Sequence, residues 1–409
     1  MKALLIAKHW PELDATAAGR RTYDILNALQ DFEFHSASAS NFNKHSDLLV
    51  SQNIQCHQIK LNDESFDQFI AELNPDIVIY DRFMIEEQFS WRVKTFCPNA
   101  MTILDTSDLH CLRQARNTAL HSGEALNLDN ELALREIASI QRTDLTIMIS
   151  NAEMDILKNH FCILSNKLHY YPFVINAENL AVQYPVFSER NHLMMIGNFL
   201  HEPNSDAARF MANEIWPLVH KQLPEAQLHI YGAYHSDKHQ QLHQPKKNVF
   251  LKGRCENALE TMAQYKINLA PLRFGAGMKG KVLEGWLTNT ATIGSPIAFE
   301  AMLFGQNLGF TPSINPNDIA QIIIKTYNNE STFDLITKIG RTQLINHFDE
   351  NTHNSSLKTK ILEHQNSLKA NRKLDFYQSM FWQKQMRAEQ YMSKWIESKN
   401  QLAKLPTAL

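Results

Sequence analysis

The chain has 409 residues, 44% of them hydrophobic and 20% charged, with a formal net charge of −3. This is length for two ordinary domains and the balance of a folded globular protein, which excludes an intrinsically disordered chain. The charge offers no bulk attraction to nucleic acid or anionic lipid, so no nucleic-acid partner is expected, although a local basic face is compatible with it. The five cysteines (Cys56, Cys97, Cys111, Cys162, Cys255) are scattered and odd in number, and the eighteen histidines show no H-E-x-x-H spacing. Neither a zinc site nor a disulfide framework is expected, and a reducing compartment is.

The first residues, 1–7, join one lysine to an apolar run too short for a secretory core, and no run is long enough to span a bilayer. They read as a first buried strand in a cytoplasmic protein. A helix is expected from Ala15 through Leu29, with Gly19 in its opening turn. Strand, small-residue loop and helix form the opening unit of a doubly wound sheet, where ligands sit outside the carboxyl ends of strands. Gly19 permits a close approach, either to a ligand or to the packing backbone. The spacing does not match G-x-G-x-x-G.

A second strand is expected within 31–57, a helix over 66–73, a strand over 75–80 and a helix over 86–96. A strand over 100–104 ends in Asp105, Asp108 and His110. Two carboxylates and an imidazole at a strand's carboxyl end are candidates for catalysis; in the alternative, Ser107 or Asp108 is a helix cap. Residues 126–141 read as a long helix whose Glu131, Arg135 and Glu136 form a solvated face. Ser150 with Glu153 reads as a capping box. The strand over 169–174 closes the first domain, 1–180, and the polar segment 176–190 is the expected linker.

The strand–loop–helix pattern restarts at 192–199, with Gly197 for a tight turn and Pro203 early in a helix. Asn204 beside it suits capping or a ligand contact. Further strands are expected over 224–232, 249–254 and 267–272, and a helix from 282. The loop between the last two carries Arg273, Gly275, Gly277, Lys279, Gly280 and Lys281, with Glu284 in the first helical turn. Glycines let the backbone approach a ligand, a helix N-terminus offers N–H groups to an anion, and two lysines reinforce the preference for phosphate. A carboxylate there suits vicinal hydroxyls such as those of a ribose. The site reads as a nucleotide-diphosphate site, against a solvated turn with stray lysines. The region 317–348 reads as helical. The tail 371–400 reads as one amphipathic helix, and basic residues around Lys384 and Arg387 leave weak peripheral membrane contact open.

The wording G-A-G-M-K-G-K-V-L-E at 275–284 resembles the donor loop of GT-B glycosyltransferases of the family 4 (group 1) type, and 293–302 is similar to that family's G-x-E-G segment. P-N-x-D at 203–206, P-x-x-x-L-x-I-x-G at 224–232 and V-F-L-K-G at 249–253, similar to the family's V-x-F-x-G, extend the resemblance over residues 1 to 310. It implies two Rossmann-like domains, 1–180 and 190–370, facing a cleft, with a C-terminal helix (375–400) returning to the first. The implied activity is hexosyl transfer from a nucleotide-diphosphate sugar, with retention, without a metal, and with no cofactor beyond that co-substrate. The acceptor would be a saccharide, a lipid-linked saccharide or a protein. Donor-binding positions would be Arg273, Gly275, Gly277, Lys279, Lys281, Glu284, Arg254 and Asn204; Gly19 would line the acceptor side, and Asp105, Asp108 and His110 would be the catalytic candidates. One departure stands out: in the family's E-x7-E pattern Glu284 fits the second glutamate, but the first falls on Ala276, and Glu300 lies too far along to replace it by spacing. A sugar-nucleotide epimerase on the same fold and a scaffold with a degenerate site are the alternatives.

Overall fold

The computed structural model describes residues 1–12, 17–305, 307–384 and 386–402. Ala15 and Thr16 of the first expected helix, and the side chains of Lys384 and Arg387, lie outside the described residues. The chain divides into two compact units, one of Met1–Cys111, Leu128–Phe173 and Asn351–Leu409, the other of Leu112–Asn127 and Val174–Glu350.

The first unit is built on seven parallel strands: β1 (Lys2–Ala7), β2 (Glu33–Ser38), β3 (Gln55–Gln58), β4 (Ile77–Asp81), β5 (Met101–Asp105), β6 (Leu145–Met148) and β7 (Leu168–Tyr170). Their order is β3-β2-β1-β4-β5-β6-β7, so the winding reverses between β1 and β4. The central strands are predominantly apolar; β1, β4, β5 and β6 are buried along almost their whole length, as parallel strands covered on both faces require. Ser150 Oγ accepts from the Glu153 N–H, the serine half of the expected capping box.

The helices between β5 and β6 depart from the sequence expectation. The segment 126–141 is helical only over Glu131–Arg142, where Asn130 Oδ1 accepts from the Ala133 N–H and sets the start. Its Glu136 is not on a solvated face: it is 1% exposed. Its two oxygens accept from the backbone N–H groups of His110 (3.0 Å) and Cys111 (2.9 Å), at the start of a helix, His110–Ser122, that the sequence reading lacks. A carboxylate is thus buried because it caps orphan donors of another helix. Burial pushes the Glu136 carboxyl up to about 7, against the pull of those two N–H groups.

The tail is three helices rather than one, Glu350–Leu374, Phe376–Lys384 and Met386–Leu402. Asp375 breaks the first from the second: its Oδ1 accepts from the Gln378 N–H at 2.8 Å and its Oδ2 takes Lys167 Nζ at 2.7 Å. Arg372 grips Asp144 (2.8 and 2.6 Å) and the carbonyls of Pro98 and Ala100. Although burial opposes it, Arg372 and the Thr102 N–H hold the Asp144 carboxyl below the usual range. These contacts tie the tail to the amino ends of β5 and β6 within the same unit.

The second unit has five parallel strands, β8 (Asn191–Ile196), β9 (Leu228–Tyr231), β10 (Val249–Gly253), β11 (Tyr265–Ala270) and β12 (Ala291–Gly294), in the order β10-β9-β8-β11-β12. The winding reverses between β8 and β11, where an open parallel sheet leaves a crevice at its carboxyl edge. The helix Gly280–Leu287 lies tight on the sheet because Gly285 has no side chain; a Cβ there would fall 2.1 Å from Thr292 Oγ1. The expected helical region 317–348 is two helices, Pro316–Asn328 and Glu330–His347, broken where Asn329 Oδ1 accepts from the Thr332 N–H. Among the described residues no helix is long and apolar enough to cross a membrane, and no group of three or more His, Cys, Asp or Glu side chains is placed to hold a metal ion.

Candidate functional site

The loop from β11 to the helix Gly280–Leu287 turns through two glycines in the left-handed region, Gly275 (φ 149°) and Gly277 (φ 67°). Side chains rarely adopt these angles, which accounts for glycine at both. Lys279 occupies the N-cap with extended backbone and no side-chain cap, and the first internal bonds run from the Val282 and Leu283 N–H groups to its carbonyl. The terminus therefore presents N–H groups and the positive dipole end at the carboxyl edge of the sheet.

Lys279 Nζ folds back to donate to the Gly277 carbonyl at 2.5 Å, bracing the loop from inside. Lys281 Nζ donates to Asn204 Oδ1 at 2.8 Å, and Asn204 Nδ2 in turn donates to the Asn198 carbonyl at 3.0 Å. Gly197 makes room for this: a Cβ there would lie 2.6 Å from Asn204 Cγ. From below, Asn268 Nδ2 in β11 donates to the Lys281 carbonyl at 2.9 Å. Lys281 is thus fixed at both its backbone and its tip. Burial draws its pKa down to about 8; the Glu284 carboxylate opposes this and Lys279 adds to it. Glu284, three residues on, shares that helix face and sits half-buried. Burial raises the Cys255 thiol and the Glu284 carboxylate adds to this; Cys255 follows the exposed Arg254 in the loop after β10.

Arg273 is engaged by a partner the sequence does not announce. Its Nε and Nη2 bind the two oxygens of the buried Asp206 at 2.9 and 2.5 Å, and its guanidinium lies over the Phe210 ring at 5.0 Å. The hydrogen bonds to Asp206 raise its pKa. Two further residues join the loop. Arg116 Nη1 donates to the Gly275 carbonyl (2.8 Å) and to Glu300 Oε2 (2.7 Å), and its Nη2 donates to Glu300 Oε1 (2.6 Å). The second unit therefore gathers Asn204, Arg254, Arg273, Gly275, Gly277, Lys279, Lys281 and Glu284 at one sheet edge, with Arg116, Asp206, Asn268 and Glu300 as supports.

The first unit holds the other candidates, at the carboxyl ends of β4 and β5. Asp105 is buried against Arg21, whose Nε donates to Oδ1 at 2.8 Å while Nη1 donates to the Tyr171 carbonyl at 2.5 Å. Burial pushes the Asp105 carboxyl up, with Arg21 pulling the other way. Asp108 Oδ1 and His110 Nε2 lie 3.3 Å apart, and the His110 ring meets the Phe83 ring edge-on at 5.4 Å. Asp81 pairs with Arg82 at 2.8 Å; Arg82 (φ 71°) and Ser107 (φ 59°) both hold left-handed backbone, a strain common at functional strand ends. At Gly19 the side-chain space is filled by the chain itself, since a Cβ would lie 2.0 Å from the Glu12 carbonyl oxygen.

Two parallel, doubly wound sheets, of seven and five strands, with the C-terminal helices in the first unit, make the GT-B architecture of glycosyltransferases. Residues 190–329, which carry all five strands of the second unit, match the family described as Glycosyl transferases group 1. HepE of Anabaena, solved with UDP and glucose, is similar over 89% of this chain and 100% of its own, at 12% identity and a TM-score of 0.67. A glycosyltransferase from Rickettsia africae aligns over 88% and 97% of the two chains at 12% identity and a TM-score of 0.60. WaaG, a glycosyltransferase involved in lipopolysaccharide biosynthesis, aligns over 87% and 99% at 11% identity and a TM-score of 0.59. At these identities the likeness is one of fold. No curated protein matches the chain.

Proposed function

We propose that the protein is a glycosyltransferase that takes a hexose from a nucleotide-diphosphate sugar and hands it to a saccharide, lipid-linked saccharide or protein acceptor. The observation that carries this reading is the loop 271–279 with the helix N-terminus behind it. Two left-handed glycines, a helix N-terminus without a side-chain cap, a fixed Lys281 and a carboxylate one turn on suit a pyrophosphate followed by a diol. The group 1 match over 190–329 and the UDP held by HepE support the same assignment.

In this reading the chain's task is to stabilise a departing diphosphate. Lys281, Lys279 and the helix N-terminus supply a preorganised positive field, which costs no reorganisation as charge develops on the leaving oxygen. The Arg273–Asp206 pair uses Nε and Nη2, so Nη1 is the arginine's atom assigned to ligand. Glu284 takes the ribose hydroxyls, Asn204 holds Lys281 on line, and Arg254 lies toward the base. Asp105, Asp108 and His110 are assigned to the sugar and acceptor. Of these, the Asp108–His110 couple is the proton-handling candidate, because Asp105 is already committed to Arg21. Retention and independence of metal are carried over from the donor-loop resemblance, and belong to the same proposal.

The test is mass spectrometry of the full chain with a panel of UDP-, GDP- and ADP-sugars, without acceptor and with added EDTA. Slow release of free sugar and nucleoside diphosphate is expected. A changed sugar still attached to its nucleotide would establish the epimerase instead, and no turnover or binding of any donor would establish a scaffold.

A further inference from the structure

The missing first glutamate of the E-x7-E pattern leaves the donor loop without a carboxylate at position 276, and sequence spacing offers no substitute. Folding supplies one nearby. Glu300, which comes directly after the short helix Pro296–Phe299, faces Arg116, a residue of the helix His110–Ser122 that packs within the second unit from Leu112 onward. The two side chains form a bidentate pair, 2.6 and 2.7 Å, and the same Nη1 that binds Glu300 donates to the Gly275 carbonyl at 2.8 Å. The arginine and glutamate side chains are 15% and 22% exposed, so the pair is largely shielded from solvent screening.

Gly275 is the residue whose φ of 149° begins the glycine turn, and its carbonyl accepts from Arg116. Lys279 braces the second glycine through the Gly277 carbonyl; Arg116 braces the first. Two cations therefore hold the two turning carbonyls. In each trans peptide the N–H of the following residue points opposite to the held carbonyl. A flexible glycine loop would lose this preorganisation and the binding energy that goes with it.

We propose that Arg116 is a positioning residue for the donor loop, oriented by Glu300. The proposal rests on the reading of the loop as a nucleoside-diphosphate site. It assigns no contact between Arg116 and the reacting atoms. Glu300 fixes the plane of the guanidinium, and the guanidinium fixes the Gly275 peptide.

The test uses the full chain and five variants, Arg116→Ala, Arg116→Lys, Glu300→Gln, the Arg116→Ala/Glu300→Gln double variant and Lys281→Ala, with UDP, GDP and ADP titrated calorimetrically and amide exchange measured without ligand. Arg116→Ala is expected to speed exchange at residues 276–280 by about tenfold or more, and to weaken the tightest nucleotide by about tenfold, since the lost bond is charge-assisted. The rest of the second unit should exchange at the native rate. Arg116→Lys, which keeps the charge but not the fork, should fall between. Glu300→Gln should weaken binding several-fold, and the Arg116→Ala/Glu300→Gln double variant should be no weaker than Arg116→Ala alone. Native exchange and affinity in Arg116→Ala overturn the proposal, as does faster exchange spread over the whole unit or faster loop exchange with unchanged affinity. If Lys281→Ala loses the nucleotide while Arg116→Ala keeps it, this inference fails and the site reading stands. If the native chain binds none of the three nucleotides, or Lys281→Ala binds them normally, the site reading fails and takes this inference with it.

Discussion

Replacing Lys281 by methionine separates a ligand-binding lysine from a structural one. Burial draws the Lys281 pKa to about 8 from 10.5. The folded chain thus holds this proton less tightly than the unfolded chain, so the charge opposes folding at pH 7. The cost disappears as pH rises from about 8 towards about 10.4, where the unfolded chain loses the proton too. Its full size is about 3 kcal/mol, from a fall of roughly 2.5 in pKa at about 1.36 kcal/mol each. The bond to Asn204 is worth about 1 kcal/mol in the other direction. Lys281→Met should therefore melt at or above the native temperature at pH 7. A phosphate contact from this ammonium is worth about 1.5–3 kcal/mol, so the variant should bind UDP roughly 10- to 150-fold more weakly. The native protein should also lose affinity as Lys281 deprotonates: with a pKa of about 8, Kd should be about tenfold higher at pH 9 than at pH 7, and flat in the variant. Calorimetric titration at four pH values with a parallel melting curve measures all of this. A variant that melts several degrees lower, or native binding that is level to pH 9, refutes the reasoning.

Glu284→Gln should weaken UDP about tenfold while leaving inorganic pyrophosphate binding unchanged in competition titrations, because only the ribose contact is lost. Gly285→Ala puts a methyl 2.1 Å from Thr292 Oγ1 and should cost about 1–3 kcal/mol by denaturant unfolding. The Glu136 carboxyl, raised by burial to about 7, contributes its stability below about pH 4.5 and loses it as pH rises through 7. Glu136→Gln should therefore gain in melting temperature relative to the native chain between pH 5 and pH 8, and a constant difference would contradict the assignment. Arg21→Ala strands the buried Asp105 and should destabilise the first unit by about 3–5 kcal/mol.

The strands are legible because parallel strands covered on both faces are predominantly apolar runs, and the loop 273–284 because its glycines, lysines and glutamate lie close together in the sequence. The supports are not. Arg116 and Glu300 are 184 residues apart, and Arg273 and Asp206 are 67, so no local pattern joins them. The helix His110–Ser122 carries little sequence signal because it buries only Cys111, Leu112 and Ala115 among its apolar residues and is anchored by Glu136 at its start and by Glu300 at Arg116. Glu136 misleads for the same reason: beside Arg135, which pairs with Glu87 at the surface, it looks like half of a solvated face. A polar residue's burial depends on the groups opposite it, which only the fold supplies.

A crystal of the full chain grown with UDP tests the central claim most directly. The pyrophosphate should lie against the N-terminus of the helix Gly280–Leu287, within hydrogen-bond distance of Lys281 Nζ, with the ribose hydroxyls on Glu284. A nucleotide bound at any other place, or one in this loop whose phosphates face away from both the helix terminus and Lys281, would contradict the account.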